Sequence, residues 1–186
     1  NAGSGDQTLT NQKPCKKGER SNPANYRPIS LTCILCRTLE HIVTSCITKH
    51  LSKLNIFYEL QHGFREKRSC ESQLLMLVND LFKSVYKKKQ TDLILLDSAN
   101  KWIFIEPIPV SPAVPPGSVL GPLLFLIYIN DLPTNVKSKV RLFADDTALY
   151  LTISTPSQSE TLQKDLDNLE RWSHKWDMEF NPSKCQ

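Results

Sequence analysis

No run in this 186-residue chain is long and apolar enough to cross a bilayer. The longest, Val119 to Ile129, is broken by Gly121 and Pro122 and falls short of the roughly 20 residues a spanning helix needs. No internal repeat is present and no low-complexity tract beyond Lys87-Lys88-Lys89, which excludes solenoids and biased tails. The opening from Asn1 to Lys17 is polar throughout, so no secretory leader is expected, and the absence of an initial Met reads as a fragment or a processed product. The six cysteines fall at no regular spacing, which argues against a secreted disulfide framework and for a reducing intracellular compartment, nuclear or cytoplasmic. Cys33-Ile34-Leu35-Cys36 has the spacing of half a zinc site. It lies in an apolar helical run without a second Cys/His pair nearby, so packing or surface thiols are the expectation. His41, His50, His62 and His174 form no spaced ligand set.

What is present is globular: 40% hydrophobic and 23% charged residues, enough for one domain or one compact piece of a larger enzyme. The net charge of +4 is unevenly spread. Residues 1–90 carry fifteen Lys/Arg against seven Asp/Glu, and residues 91–186 carry eight against twelve. A basic half joined to an acidic half suits a polyanion on one side and cations on the other.

Residues 1–24 are polar and read as a mobile arm. Apolar positions from Leu35 to Leu54 recur at three- and four-residue steps and predict a helix over 35–54 that ends before Asn55. A second helix is expected over 71–86, with Leu74, Leu77, Val78, Leu81 and Val85 facing inward. Between them, Gln61-His62-Gly63-Phe64-Arg65 reads as a turn with a basic tail through Arg68. The run Asp92-Leu93-Ile94-Leu95-Leu96-Asp97 predicts a strand buried on both faces. Five prolines between Pro107 and Pro116 exclude any core helix or central strand there. A helix is expected over 118–131, and two strands over 140–144 and 147–151 with Asp145-Asp146 at the turn. The last helix, 158–176, carries Leu162, Leu166, Leu169, Trp172 and Trp176 on one stripe, which makes both tryptophans core residues.

Three acids then stand out. Asp97 ends one strand, and Asp145 and Asp146 sit together at a hairpin tip. Adjacent carboxylates repel unless a cation lies between them. If the two strands are neighbours in one sheet, all three carboxylates converge, and hard oxygen ligands gathered that way suit Mg²⁺. A polar hairpin turn is the plainer account of Asp-Asp taken alone.

The surrounding blocks decide between these accounts. Phe143-Ala144-Asp145-Asp146 between two apolar strands resembles the signature turn of reverse transcriptases. Asn25-Tyr26-Arg27-Pro28-Ile29-Ser30-Leu31-Thr32, with Lys16 to Arg20 before it, resembles the fingers motif of the non-LTR retrotransposon enzymes, and Gln61 to Arg65 with Arg68-Ser69-Cys70 resembles their next fingers block. Leu93 to Asp97 resembles the first palm strand, Pro115 to Pro133 the long palm block, and Asn181-Pro182-Ser183-Lys184-Cys185 the motif beyond the hairpin. The blocks follow family order and cover nearly the whole chain from Lys13.

The resemblance implies an α+β fold, a fingers and palm fragment with a small antiparallel sheet packed by helices. The fingers-like segment spans 25–90 and the palm-like segment 91–186, without thumb or endonuclease. It implies an RNA-directed DNA polymerase of a non-LTR retrotransposon that takes an RNA template, a DNA primer and deoxynucleoside triphosphates, with no membrane and no protein partner inferable. Asp97, Asp145 and Asp146 would hold two Mg²⁺ ions, and Lys184 would lend a proton or charge to the leaving pyrophosphate. Lys17, Arg27, Arg65, Arg68 and Gly117 would meet nucleic acid or nucleotide.

The departures from the family pattern are as informative. Asp97 is followed by Ser98-Ala99-Asn100-Lys101-Trp102, without the family's aromatic and Ala-Phe pair. Only nineteen residues separate Asp97 from Gly117, where relatives carry several dozen more. Pro112 to Gly117 replaces a Ser-Gly-Val-Pro-Gln-Gly run, losing a Gly and a Gln near nucleotide and template. We read an internal deletion between 98 and 113, a narrower sheet, and a copy inactive as a polymerase. The alternative is a non-catalytic nucleic-acid-binding remnant.

Overall fold

The computed structural model describes residue 21 and residues 33–99, 117–182, 184 and 185. Apart from residue 21, the expected arm lies outside these residues, as does the proline-crowded stretch up to Pro116. In chain order come α1 (Ile34–Lys53), α2 (Cys70–Tyr86), β1 (Gln90–Ala99), α3 (Gly121–Tyr128), a 3-10 turn (Leu132–Asn135), β2 (Lys139–Phe143), β3 (Asp146–Ile153), α4 (Pro156–Lys175) and β4 (Glu179–Phe180). The strands form one antiparallel sheet in the order β2-β3-β1-β4.

Local chemistry accounts for the helix ends. Ser69 caps α2, its hydroxyl accepting from the Ser72 N–H (3.1 Å) while the Ser72 hydroxyl accepts from the Ser69 N–H (3.0 Å). Asn55, just past α1, takes the left-handed conformation (φ 51°) that asparagine tolerates better than most residues. Pro156 opens α4, where its missing N–H costs nothing.

Alternation along the strands gives the sheet two faces. Val140, Leu142 and Leu149, with Ile94 and Leu96, pack against Phe125, Ile129, Leu132, Leu162, Leu169 and Trp172 to make the main core. A smaller cluster of Phe57, Leu123 and Leu126 receives Ile47 and Leu51 of α1. Asp165 on α4 is 2% exposed, and its carboxylate accepts from the Lys137 N–H (3.1 Å), the Ser138 N–H (2.7 Å) and the Ser138 hydroxyl (2.6 Å). These bonds fix the entry of the chain into β2.

The opposite face carries Arg141, Tyr150, Thr152 and Thr91, and α2 lies across it. Asp80 of α2 accepts from the Arg141 guanidinium (2.8 Å) and the Tyr150 hydroxyl (2.6 Å), with Lys139 at 3.4 Å. Ser84 meets Thr152 at 2.9 Å. This polar contact corrects the expected inward face of α2: Gln73 and Ser84 are buried, whereas Leu74, Val78 and Val85 are exposed. The helix turns its hydrogen-bonding side inward because buried Arg141 and the sheet hydroxyls require partners.

Other expectations also shift. α1 has no buried residue, and Leu35, Leu39 and Ile42 are exposed. β1 is longer than expected and half-buried rather than buried on both faces, with Leu95 exposed, because α2 covers its outer face only in part. The helix expected over 118–131 is shorter and continues into the 3-10 turn. Trp172 is core, its indole N–H donating to Asp131 at 2.8 Å, while Trp176 sits partly exposed with its ring edge-on to Tyr128.

Burial works hardest against the Asp80 charge, yet the bonds from Arg141 and Tyr150 and the nearby cations outweigh it and bring its pKa from 3.8 to about 2. Burial, then the bond to Asp80, pushes Tyr150 up to about 12. The depressed Asp80 value corresponds to roughly 2 kcal/mol of stability, present above about pH 4 and lost as pH falls toward 2. Asp80→Ala leaves Arg141, 6% exposed, without its carboxylate. We expect a loss of about 3–5 kcal/mol in urea unfolding at pH 7, and acid unfolding of that variant that lacks the step between pH 4 and 2.

Candidate active site

The site grows from one register. β1 and β3 pair so that Asp97 lies directly opposite Asp146, and Phe143 of β2 faces Asp146 from the other side. Directly opposed residues in an antiparallel pair point to the same face, about 4.5–5.5 Å apart at Cβ. The two carboxylates therefore share the face that α2 covers farther along. The turn itself is one residue earlier than expected: Ala144 and Asp145 make it, and Asp146 is already the first residue of β3.

Segment 60–63 holds that turn from outside the sheet. The Leu142 N–H donates to the Leu60 carbonyl (3.1 Å) and the His62 N–H to the Leu142 carbonyl (2.9 Å), which satisfies the free edge of β2. Gln61 is 3% exposed, and its side chain acts as a strand partner for Ala144. Its Oε1 accepts from the Ala144 N–H (3.0 Å) and the Gly63 N–H (2.7 Å), and its Nε2 donates to the Ala144 carbonyl (3.4 Å). Ala144 is held at φ 53°, where a residue with a Cβ is strained. Gly63 lies so close that a Cβ there would fall 2.2 Å from the Ala144 nitrogen.

Lys184 closes the site. Its ammonium stands 3.1 and 3.0 Å from the two carboxylate oxygens of Asp97, and the Asn181 N–H donates to the Asp97 carbonyl at 2.8 Å. Loss of solvent, then the charges of Asp145 and Asp97, push the Asp146 carboxyl above the ordinary aspartate value, with Lys184 opposing them. Among the described residues no three His, Cys, Asp or Glu side chains stand close enough to cage a metal. What the site offers is mutually repelling carboxylates that a hard divalent ion, sharing waters and phosphate oxygens, would relieve.

The basic candidates have partners of their own. Arg65 stacks over the Phe57 ring at 4.5 Å and donates to the Tyr58 carbonyl, and burial, then Arg68, lowers its pKa. Arg68 donates to the Glu59 carbonyl. Arg65 also lines a cleft of about 460 Å³ between Thr44, Thr48 and Ser52 of α1 and Leu123 of α3. Gly117, at φ 99°, precedes Ser118, whose hydroxyl donates to Glu40 (2.9 Å) and accepts from the N–H groups of Leu120 and Gly121 at the start of α3. Lys17 and Arg27 lie outside the described residues.

Sequence reasoning placed Gln61 and Gly63 only in a turn and a fingers-like block, and gave Glu40 and Asp80 no role. One signal was available for the loop: Gly63 is the sole glycine between Gly18 and Gly117. A glycine so isolated marks a close backbone approach. Nothing local marks Asp80, whose partners are 61 and 70 residues away.

A family model described as Reverse transcriptase (RNA-dependent DNA polymerase) matches residues 15–186. The chain is 27% identical over 220 residues to the "Probable RNA-directed DNA polymerase from transposon BS" of Drosophila melanogaster, covering 92% of this chain and 24% of that protein. It is 27% identical over 209 residues to the "RNA-directed DNA polymerase from mobile element jockey" of the same fly (87% of this chain, 23% of that protein). With the "Probable RNA-directed DNA polymerase from transposon X-element" the identity is 26% over 213 residues (90% and 23%). The chain thus spans about a quarter of the length of these curated relatives.

Two substitutions test how the acids are held. Gly63→Ala forces loop and turn apart. It should cost about 1–3 kcal/mol in denaturant unfolding and move the Asp146 carboxyl resonance in an NMR titration. Lys184→Met removes the charge that favours ionised Asp146, so its pKa should rise further in the same titration; an unchanged value would mean that Lys184 does not act on it.

Proposed function

The chain belongs to the reverse transcriptase (RNA-dependent DNA polymerase) family, and on that premise we propose that it is the fingers and palm of an RNA-directed DNA polymerase from a non-LTR retrotransposon, in a copy that no longer incorporates nucleotides. The carrying observation is Asp97 facing Asp146 across one strand pair, with Asp145 in the adjoining turn and Lys184 on Asp97. Residues 25–90 form the fingers-like segment in this reading and residues 91–186 the palm-like one.

In the reaction, the 3′-hydroxyl of a DNA primer attacks the α-phosphorus of a deoxynucleoside triphosphate chosen by an RNA template. A phosphodiester bond forms and pyrophosphate leaves. Asp97 and Asp145, supported by Asp146, would hold Mg²⁺, which when bound neutralises the phosphates and acidifies the attacking hydroxyl. The chain's own groups do the positioning. Lys184 brings a proton and a positive charge to the edge where the pyrophosphate departs. Gln61 and Gly63 keep the Asp145 turn in place against carboxylate repulsion. Arg65 and Arg68, with Lys17 and Arg27, meet template or triphosphate oxygens, contacts that position a strand rather than read it. Gly117 lets the chain reverse ahead of α3, where the nucleotide approaches.

Loss of incorporation follows from the short connection between Asp97 and Gly117. The aligned relatives bring more residues to the match than this chain possesses, which supports a stretch missing here. Phosphoryl transfer depends on positioning and electrostatics, and a misplacement of about 1 Å can cost a hundredfold in rate. The second reading is a non-catalytic nucleic-acid-binding remnant that keeps the basic first half, fifteen Lys/Arg against seven Asp/Glu over residues 1–90, and has lost the chemistry.

Primer extension on an RNA template with Mg²⁺, beside an Asp145→Asn control, tests these readings. We expect no extension above the control, together with Mg²⁺ binding by calorimetry that the control weakens. Extension that Asp145→Asn abolishes would show the polymerase intact. Absence of Mg²⁺ binding would leave the remnant.

A further inference from the structure

The first turn of α1 carries a pair of thiols that the proposed function does not use. Cys33 is the N-cap of the helix and Cys36 its third residue. The position usually taken by Ser, Thr, Asp or Asn is filled by a thiol, and the Cys36 N–H donates to the Cys33 sulfur at 3.3 Å. The two sulfurs lie 3.0 Å apart, with one thiol donating to the other. Sulfurs already this close need little movement to reach the roughly 2.05 Å of a disulfide bond. Both thiols are exposed, and Ile34 and Leu35 between them are 84% and 82% exposed, so no described element covers this turn.

We infer that Cys33 and Cys36 form a reversible dithiol–disulfide site that exchanges with small-molecule disulfides, with Cys33 the attacking thiol and Cys36 the resolving one. The Cys33 thiolate attacks one sulfur of the small disulfide. One thiol departs, and a mixed disulfide forms on Cys33. Cys36 then gives up its proton and attacks the Cys33 sulfur, releasing the second small thiol and closing the Cys33–Cys36 bond. Two protein thiols are oxidised by two electrons, the small disulfide is reduced to two thiols, and those thiols take up the two protons.

The division of labour has a physical cause. The hydrogen bond shared by the two thiols, then the Cys36 backbone N–H donating to the Cys33 sulfur, favours the Cys33 thiolate, and the helix N-terminus acts in the same direction. Cys36 is pushed the other way by the hydrogen bond it shares with Cys33 and by the charge on Cys33. Cys46 and Cys70 have no sulfur neighbour among the described residues and provide internal references.

The test incubates the full chain in buffers of reduced and oxidised glutathione and maps thiols by alkylation and peptide mass spectrometry. We expect the Cys33–Cys36 peptide to lose two hydrogens without retaining glutathione, and the reduced chain to alkylate at Cys33 several-fold faster than at Cys46 or Cys70. With Cys36→Ser the mixed disulfide should persist on Cys33, and with Cys33→Ser the adduct on Cys36 should form several-fold more slowly. Equal alkylation of Cys33, Cys36, Cys46 and Cys70, or oxidation only to intermolecular dimers, would overturn the assignment. The alkylation rates need no variant, so they decide the matter even if a substituted chain fails to fold.

Discussion

A slip of one residue between β1 and β3 would carry Asp97 to the other face of the sheet, and the acidic site would cease to exist. Two unlike sets of contacts hold that register. On the core face Ile94 and Leu96 pack with Leu149, Val140 and Leu142 against α3 and α4, an apolar arrangement that tolerates no displacement by half a pleat. On the outer face the constraint is polar: Asp80 gathers Arg141, Tyr150 and Lys139, and Ser84 meets Thr152. Hydrogen bonds are directional, so this face specifies alignment where an oily contact would merely specify burial.

Once aligned, the acids oppose their own placement. Asp97, Asp145 and Asp146 bring like charges to one edge, and the raised pKa of Asp146 records that conflict. The sheet alone offers little resistance, because a hairpin tip is its least supported part. Resistance comes from a loop some 80 residues earlier in the chain, where the Gln61 amide replaces a missing strand for Ala144 and Gly63 allows backbone to meet backbone. Lys184 offsets part of the repulsion from the opposite side. Support of this kind, drawn from distant segments, is how strained functional turns persist.

Most of the architecture was legible in the residues. Apolar periodicity located α1, α2 and α4 to within a residue or two, and alternation with an acidic turn located β2 and β3, since both patterns are local properties of a chain. The three acids and Lys184 were singled out through the resemblance. Their pairing was less legible: hairpin chemistry suggested Asp145-Asp146 as the turn, whereas the strand starts at Asp146 and places it opposite Asp97.

By itself the sequence determined the α+β alternation, the order of the blocks and the residues that bear charge at the site. Each of these depends on neighbours within a few positions. Tertiary structure alone decided which faces are covered. α1 and α2 carry apolar stripes of the expected period, yet Leu39, Ile42, Leu74 and Val78 remain exposed, while Gln73, Ser84 and Arg141 are buried. A helix's period follows from its own geometry. The side it buries depends on what stands opposite, and for α2 that is a sheet face bearing Arg141, Tyr150 and Thr152, which only hydrogen-bonding partners can satisfy.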